Sequence, residues 1–60
     1  MLVVVNELFA VNYPTLEGGF TIETNDITAT IKELKQEYAF VDECMHKYNG
    51  HIEIDVYMHC

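Results

Sequence analysis

The feature that most constrains the fold is a change in the spacing of apolar residues along the chain. Between positions 27 and 48 these residues recur at intervals of four and three, which is the period of one helix face. Thr24, Asn25 and Asp26 are candidates to cap the beginning of such a helix, and Asn49-Gly50 is a typical helix stop. We therefore predict one helix of about six turns. Its apolar stripe consists of Ile27, Ile31, Leu34, Tyr38, Val41, Met45 and Tyr48.

Alternating residues on both sides of this segment predict β-strands. Residues 2–11 are rich in β-branched and aromatic side chains, and residues 20–24 and 51–60 alternate between apolar and polar types. Residues 12–19 contain the only proline and two of the three glycines, which favours a loop. The predicted order is ββαβ, in a single small α+β domain that spans residues 1–60.

The length of the predicted helix sets the predicted topology. A helix of roughly 34 Å returns the chain to the starting end of the second strand. The third strand is then parallel to the second and antiparallel to the first. The first strand is apolar on both faces and favours the centre. We therefore expect a three-stranded, mainly antiparallel sheet in the order 2-1-3, with the long helix packed on one face and a homodimer covering the other. A two-helix coiled-coil seam would show the same stripe.

The charge balance indicates the chemistry of a partner. Ten carboxylates face three lysines and no arginine, for a formal net charge of −7. This excess disfavours direct binding to nucleic-acid phosphates or to an anionic membrane. It favours a basic protein partner, because complementary fields orient encounter. All three lysines fall in the predicted helix, whereas the predicted strands and loops carry only acids. The alternative is that the acidity serves solubility alone.

Phe40 is the strongest single candidate for a binding residue. On a continuous helix it lies opposite the apolar stripe, among polar side chains. Exposed aromatic residues act as anchors at protein interfaces. The alternatives are a helix that breaks near residues 38–40, with Phe40 in a core, or contact with a dimer mate. The predicted partner-binding set is Phe40, Glu33, Glu37, Asp42, Glu43, Glu53, Asp55 and Tyr57.

These observations lead to one functional expectation and one main rival. Carboxylates on a rigid element can occupy the basic groove that a nucleic-acid-binding protein offers to phosphates. We expect a small protein-interaction module that inhibits or regulates a basic, nucleic-acid-handling protein by steric and electrostatic blocking, in the manner of a phage-type inhibitor or DNA mimic. The similarity to such proteins is one of size and charge only. The rival hypothesis is a structural or assembly subunit of a larger complex.

The cysteines and histidines could form a metal site, but their spacing disfavours one. On a helix Cys44 and His46 point about 200° apart, and on a strand His59 and Cys60 face opposite ways. His51 completes the set of soft ligands. A small metal-binding module is therefore only the third hypothesis, and we predict no metal and no cofactor. No nucleophile is accompanied by a recognisable base and orienting group, so we do not expect an enzyme.

The number of cysteines and the lengths of the apolar stretches indicate the cellular compartment. Two cysteines are too few for the disulfide framework of a small secreted domain. We expect no secretory signal, because residues 1–5 lack a basic start, and no apolar stretch approaches the roughly 20 residues of a spanning helix. We expect a cytoplasmic, reduced protein with two free thiols.

Overall fold

The computed structural model describes every residue from Met1 to Cys60 and contains four strands and one helix. The predicted α+β class is confirmed. The element order is ββαββ, so the predicted order ββαβ lacks one strand. The elements are β1 (Leu2–Ala10), β2 (Tyr13–Glu23), α1 (Ile27–Glu37), β3 (Phe40–Tyr48) and β4 (His51–His59).

The helix is half as long as predicted. It begins as expected after Asp26, whose carboxylate accepts a hydrogen bond of 3.1 Å from the backbone N–H of Ala29. It ends at Glu37, because the backbone of Tyr38 is extended, with φ −118° and ψ 153°. Strand β3 then starts at Phe40. The prediction of a helix through residue 48 was therefore wrong beyond Glu37, and the coiled-coil alternative is wrong with it.

The apolar stripe is nevertheless almost entirely directed at one core. Ile27, Ile31 and Leu34 reach this core from α1, and Val41 and Met45 reach it from β3. Residues four apart face the same side of a strand as well as of a helix. The spacing between positions 41 and 45 therefore fits both structures, which is why the stripe did not reveal the break.

The strand order is β2-β1-β4-β3. As expected, β1 lies between β2 and the last strand. The last strand, however, is parallel to β1 rather than antiparallel to it, whereas the two edge strands are antiparallel to their neighbours. The physical reason is that the helix is shorter than predicted and an extra strand, β3, follows it. This strand adds one reversal of the chain, so the last strand runs in the direction of β1. The predicted three-stranded order 2-1-3 is corrected accordingly.

The dipeptide predicted to stop the helix instead connects β3 to β4. Tyr48 pairs with His51, so Asn49 and Gly50 form a two-residue hairpin loop. Gly50 has a φ of +96°, which glycine adopts without steric penalty. Asn-Gly is favoured in such hairpins as well as after helices.

Most of the predicted loop 12–19 belongs to β2. This strand lies at a sheet edge, where Pro14 removes no hydrogen bond that the sheet needs. Gly19 permits a close approach of the two backbones, because a Cβ at this position would lie 2.5 Å from the carbonyl oxygen of Val5. The proline and the glycine thus mark an edge strand and a close contact rather than a loop.

The core lies between α1 and one face of the sheet, which we call the helix face. Val3, Val5, Ile54 and Val56 from the two central strands are completely buried there, with Leu34 of α1 packed among them. The opposite face, which we call the open face, carries no covering element. Side chains of alternate strand residues point to it. The only helix, α1, is too short and too polar to cross a membrane.

Candidate protein-binding face

Strand register brings three carboxylates together in the middle of the open face. Asp42 of β3 pairs with Asp55 of β4, and Asp55 lies beside Asn6 of β1. Glu53 occupies the next outward position of β4, opposite His46. Asp42 comes from β3, whereas Glu53 and Asp55 come from β4, and these two strands pair as a hairpin. We call the group of Asp42, Glu53 and Asp55, with the aromatic residues Phe40 and Tyr57, the acidic face.

Asn6 organises two of these carboxylates. Its Nδ2 donates hydrogen bonds of 3.1 Å to Oε1 of Glu53 and of 3.1 Å to Oδ1 of Asp55. Nε2 of His51 lies 3.2 Å from the other carboxylate oxygen of Glu53. The hydrogen bond from Asn6, followed by that from His51, lowers the pKa of Glu53. The arrangement holds Glu53 in its charged form and in one orientation.

Asp42 and Asp55 form an unfavourable cross-strand pair. They are direct partners in the antiparallel register of β3 and β4. Like charges in such positions destabilise a sheet. Each is partly compensated, since the backbone N–H of Cys44 donates to Oδ1 of Asp42 at 3.0 Å and Asn6 donates to Asp55. The fold thus tolerates a repulsion that an exchange of one acid for a neutral residue would remove.

Two aromatic rings adjoin the carboxylates. Phe40 and Tyr57 are the next register pair, with ring centroids 5.6 Å apart and planes inclined at 50°. Phe40 is 47% exposed, whereas Tyr57 is half-buried. Burial, followed by the nearby charges of Asp55 and Asp42, raises the pKa of Tyr57. The result is an exposed apolar surface immediately beside a negative one.

The location of Phe40 differs from the continuous-helix alternative and from the core alternative. The helix does break near residues 38–40, but Phe40 does not enter a core. It is the first residue of edge strand β3, and its ring lies on the open face. It is therefore exposed as predicted, although on a strand and not on the polar side of a helix.

Three of the predicted binding residues lie elsewhere. Glu33 and Glu37 are exposed on α1. Glu43 forms an ion pair of 2.5 Å with Lys35 of α1, so its side chain is directed away from the acidic face. The structure brings together the other five residues of the predicted set.

The distribution of lysines also differs from the sequence interpretation. Lys32 and Lys35 lie on α1, but Lys47 lies on β3. The sheet is therefore not exclusively acidic. Lys47 pairs with the buried Ile52 and so belongs to the register of the helix face, on the side opposite the carboxylates.

The sequence did not indicate Asn6 or His51 as partner-binding residues, and it indicated His51 only as a candidate metal ligand. Asn6 interrupts the apolar run of β1, and such a polar residue in a central strand requires hydrogen-bond partners. This polar residue within an apolar strand was the sequence feature that could have indicated Asn6 as a site residue. His51 follows Gly50 directly and had no distinguishing pattern, because its relation to Glu53 depends on both residues lying on the same face of β4.

Neither cysteine is bonded to another, and both are exposed. Cys44 and His46 lie on β3 and not on a helix, which corrects the angular argument made for them from the sequence. Sγ of Cys60 lies 3.7 Å from the carbonyl oxygen of Ala39. No group of three or more His, Cys, Asp or Glu side chains is arranged to hold a metal ion.

The acidic face combines hydrogen-bonded carboxylates with one exposed and one half-buried aromatic ring. Such a surface can attract a basic protein at long range and contact an apolar side chain at short range. Comparison with protein-family models, with curated proteins and with solved structures finds no match to this chain.

Proposed function

We propose that this protein is a small acidic interaction module that binds a basic protein through its acidic face and thereby inhibits or regulates that protein. The observation that carries the proposal is the convergence of Asp42, Glu53 and Asp55 beside the Phe40–Tyr57 ring pair. Binding, and not catalysis, is the proposed role. Nucleic-acid-handling proteins are the favoured partner class, because their phosphate-binding grooves present clustered Lys and Arg.

The local energetics support a role in binding. The Asp42–Asp55 pair lowers the stability of the sheet, and such locally unfavourable arrangements are characteristic of functional surfaces. The Asn6 amide and His51 hold the carboxylates in place before any partner arrives. Preorganisation of this kind reduces the conformational entropy lost on binding.

The charge of the face also distinguishes between occupants. Two-fold symmetry would place the same carboxylates of two copies against each other if the open face were a homodimer interface. Like charges brought together in this way oppose association. A basic surface instead gains favourable contacts with each acid. The expectation that a second copy covers the open face is therefore the weaker alternative for this surface.

The mechanism is steric and electrostatic. The net charge of −7 steers the protein towards a positive surface, and the ordered carboxylates then occupy sites that phosphates would use. Phe40 supplies an apolar anchor at the border of this region. A bound copy blocks the groove, so the partner loses access to its nucleic acid.

Exposed apolar side chains outside the acidic face favour a second candidate function. Phe9, Val11, Tyr13 and Leu16 are exposed near the turn between β1 and β2. A structural or assembly subunit would bury such residues against a larger complex.

The test uses two doubly substituted variants with the same net charge. Asp42→Asn/Asp55→Asn neutralises the acidic face, whereas Glu33→Gln/Glu37→Gln neutralises two acids of α1. Immobilised wild-type protein and both variants would be incubated with lysate from the native host, and captured proteins identified by mass spectrometry. A captured protein would then be purified and its affinity measured from about 0.1 M to about 1 M NaCl, over which the screening length falls from about 10 Å to about 3 Å.

The proposal predicts a basic partner whose affinity falls steeply with salt. It also predicts that the Asp42→Asn/Asp55→Asn variant loses binding while the helix variant retains it. Wild-type protein, but not the first variant, should displace DNA or RNA from the purified partner. Equal binding by the two variants, or an affinity independent of salt, would contradict the proposal.

A further inference from the structure

Two histidines adjoin Glu53 of the acidic face. His51 lies on β4, two residues before Glu53, and its Nε2 lies 3.2 Å from Oε2 of that residue. His46 lies on β3 and is the direct cross-strand partner of Glu53, so its side chain is on the same face of the sheet. After the hydrogen bond from Asn6, the two histidines are the groups that lower the pKa of Glu53. One carboxylate is therefore flanked by two titratable rings from two strands.

The surroundings of His51 fix its ring on this face. It is stacked on Tyr48 of β3, with ring centroids 4.9 Å apart and planes inclined at 13°. On the neighbouring strand β1, Leu2 and Val4 pair with His51 and Glu53 and carry no charge. The ring thus lies between an aromatic neighbour and a carboxylate, with no competing charged group on β1.

The other charged side chains on this side of the sheet are acids. Asp42 and Asp55 lie beside Glu53 in the register of β3 and β4. Glu23 of edge strand β2 lies beyond β1 and forms an ion pair of 2.6 Å with the amino terminus. Helix α1 packs on the opposite face, which is also the side to which Lys47 belongs. No lysine side chain therefore neutralises the acidic face.

The histidines are the groups that can change the charge of this face near neutral pH. Of the remaining titratable residues, Cys44 on β3 and Tyr57 on β4 carry a thiol and a phenol, neither of which becomes a cation. Histidine is the side chain that gains a positive charge between about pH 8 and about pH 5. The three carboxylates of the acidic face carry three negative charges, and two protonated rings would cancel two of them.

We propose that His46 and His51 form a pH-dependent switch that closes the acidic face to basic partners in mildly acidic conditions. This inference rests on the proposed function, because it concerns the regulation of the same surface. With both rings neutral, the carboxylates attract a basic partner. With both rings protonated, each is a counter-ion for Glu53, and a lysine or arginine of the partner meets a cation beside the carboxylate that it would contact.

The same coupling acts in the opposite direction. A ligand that binds better to the neutral histidines lowers their affinity for protons by the same factor. Binding near the middle of the histidine range, at about pH 6.5, should therefore release protons to the buffer. This release distinguishes a switch made of histidines from a general weakening of binding in acid.

The probe is a deca-lysine peptide, whose side chains stay charged from about pH 5.5 to about pH 7.5. Isothermal titration calorimetry in low salt would measure its affinity at both pH values, and chemical-shift mapping of backbone amides would locate its contact surface. The variant His46→Gln/His51→Gln cannot be protonated at these positions, and glutamine keeps a hydrogen-bond donor for Glu53. His59→Gln, at the far end of β4 from His51, is the control.

Circular dichroism at both pH values verifies that each protein is folded. His46→Gln alone, at an exposed position, replaces the double variant if the latter does not fold, and it should reduce the pH dependence.

The wild-type protein and the control should bind the peptide about tenfold more weakly at the lower pH, since two exposed charges each alter binding a few-fold. The double variant should bind nearly equally at the two pH values. Titrations in buffers with different enthalpies of ionisation should show proton release by the wild-type protein and none by the double variant.

Two kinds of failure are distinguishable. An equal fall in affinity in the wild-type protein and the double variant, or no fall in either, would overturn the switch and leave the proposed function intact. A peptide that does not shift the amides of residues 42, 53 and 55 at the higher pH would contradict the proposed function, and the switch with it.

Discussion

Asp42 and Asp55 face each other directly across β3 and β4, and both side chains lie on the uncovered face of the sheet. No neighbouring lysine or arginine neutralises them, because the lysines of this chain lie on α1 and on the helix-face register of β3. The same pair that weakens the sheet supplies the density of charge that a basic partner would recognise. Removing one charge of this pair should therefore raise the stability of the fold and weaken the binding of a basic partner.

The first prediction is that Asp42→Asn stabilises the fold while weakening binding. Asparagine keeps the Oδ1 acceptor for the Cys44 N–H and removes the repulsion with Asp55. The free energy of unfolding, measured by urea denaturation, should rise by about 0.5 kcal/mol. Glu17→Gln, at an exposed position of β2, is the control for the change in net charge. An equal gain in the control, or a loss of stability in Asp42→Asn, would show that the cross-strand repulsion is not the cause.

The second prediction concerns the carboxylate that Asn6 and His51 hold. A lowered pKa in the folded state means that the charged form of Glu53 contributes stability above its unfolded pKa, and that this contribution is lost as the pH falls through the folded value. The loss should occur below pH 4.5, the ordinary value for Glu. In Asn6→Ala the largest cause of the lowering is absent, so the pKa of Glu53 should rise.

Carboxyl-carbon NMR titration measures this pKa directly. Asn25→Ala, in the exposed segment before α1, is the control and should leave the pKa of Glu53 unchanged. An identical titration curve for Glu53 in Asn6→Ala and wild-type protein would exclude the role given to the Asn6 amide.

The third prediction concerns the residue at which the helix ends. The Tyr38 hydroxyl donates to Oε2 of Glu7 at 2.5 Å and links the end of α1 to β1. This hydrogen bond, followed by burial, raises the pKa of Tyr38 to about 12. The neutral phenol is thus favoured in the folded state, so its stabilising contribution is complete below pH 10 and lost as the pH rises towards 12.

Tyr38→Phe should accordingly lower the free energy of unfolding at neutral pH by about 1 kcal/mol. It should also reduce the loss of stability between pH 10 and 12. Tyr13→Phe, which removes an exposed hydroxyl from β2, should change neither quantity. Urea denaturation at several pH values tests both statements, and equal behaviour of the two variants would refute the role of the Tyr38–Glu7 hydrogen bond.

The fourth prediction concerns Phe40 as an anchor. Because its ring is 47% exposed, Phe40→Ala should leave the midpoint of unfolding nearly unchanged. If Phe40 is a hot spot of about 2 kcal/mol, the same substitution should weaken affinity for the captured partner about 30-fold. Tyr13→Ala, at an exposed aromatic residue of β2 outside the acidic face, is the control and should retain affinity. A Phe40→Ala variant that unfolds would place Phe40 among the stabilising residues, and one that binds normally would remove it from the interface.

Local patterns predicted those parts of the fold that depend on neighbours in the chain. The start of α1 was predicted from the candidate caps at residues 24–26 and from the apolar period, and β4 was predicted from strict alternation. The end of α1 could not be predicted from the apolar spacing, because the positions of Val41 and Met45 fit a strand as well as a helix. Asn49-Gly50 was equally ambiguous, since the same dipeptide ends helices and closes hairpins.

The candidate site shows the same division. The excess of acid could be predicted from residue types. Exposure of Phe40 was predicted from its place on a continuous helix that the structure does not contain, so that prediction agrees with the structure for a different reason. The sequence could not predict which acids lie together. Glu33 and Glu37 remain on α1, whereas strand pairing brings Asp42 and Asp55 together.

By itself, then, the sequence determined the net charge, the α+β class, and the strands β1, β4 and residues 20–23 of β2, since these depend on composition and on short-range periodicity. Only the tertiary structure decided the helix end, the parallel pairing of β1 with β4, and the meeting of Asn6 with Glu53 and Asp55. Each of these depends on contacts between residues far apart in the chain. Such contacts are selected by burial of the whole core, and no local pattern encodes them.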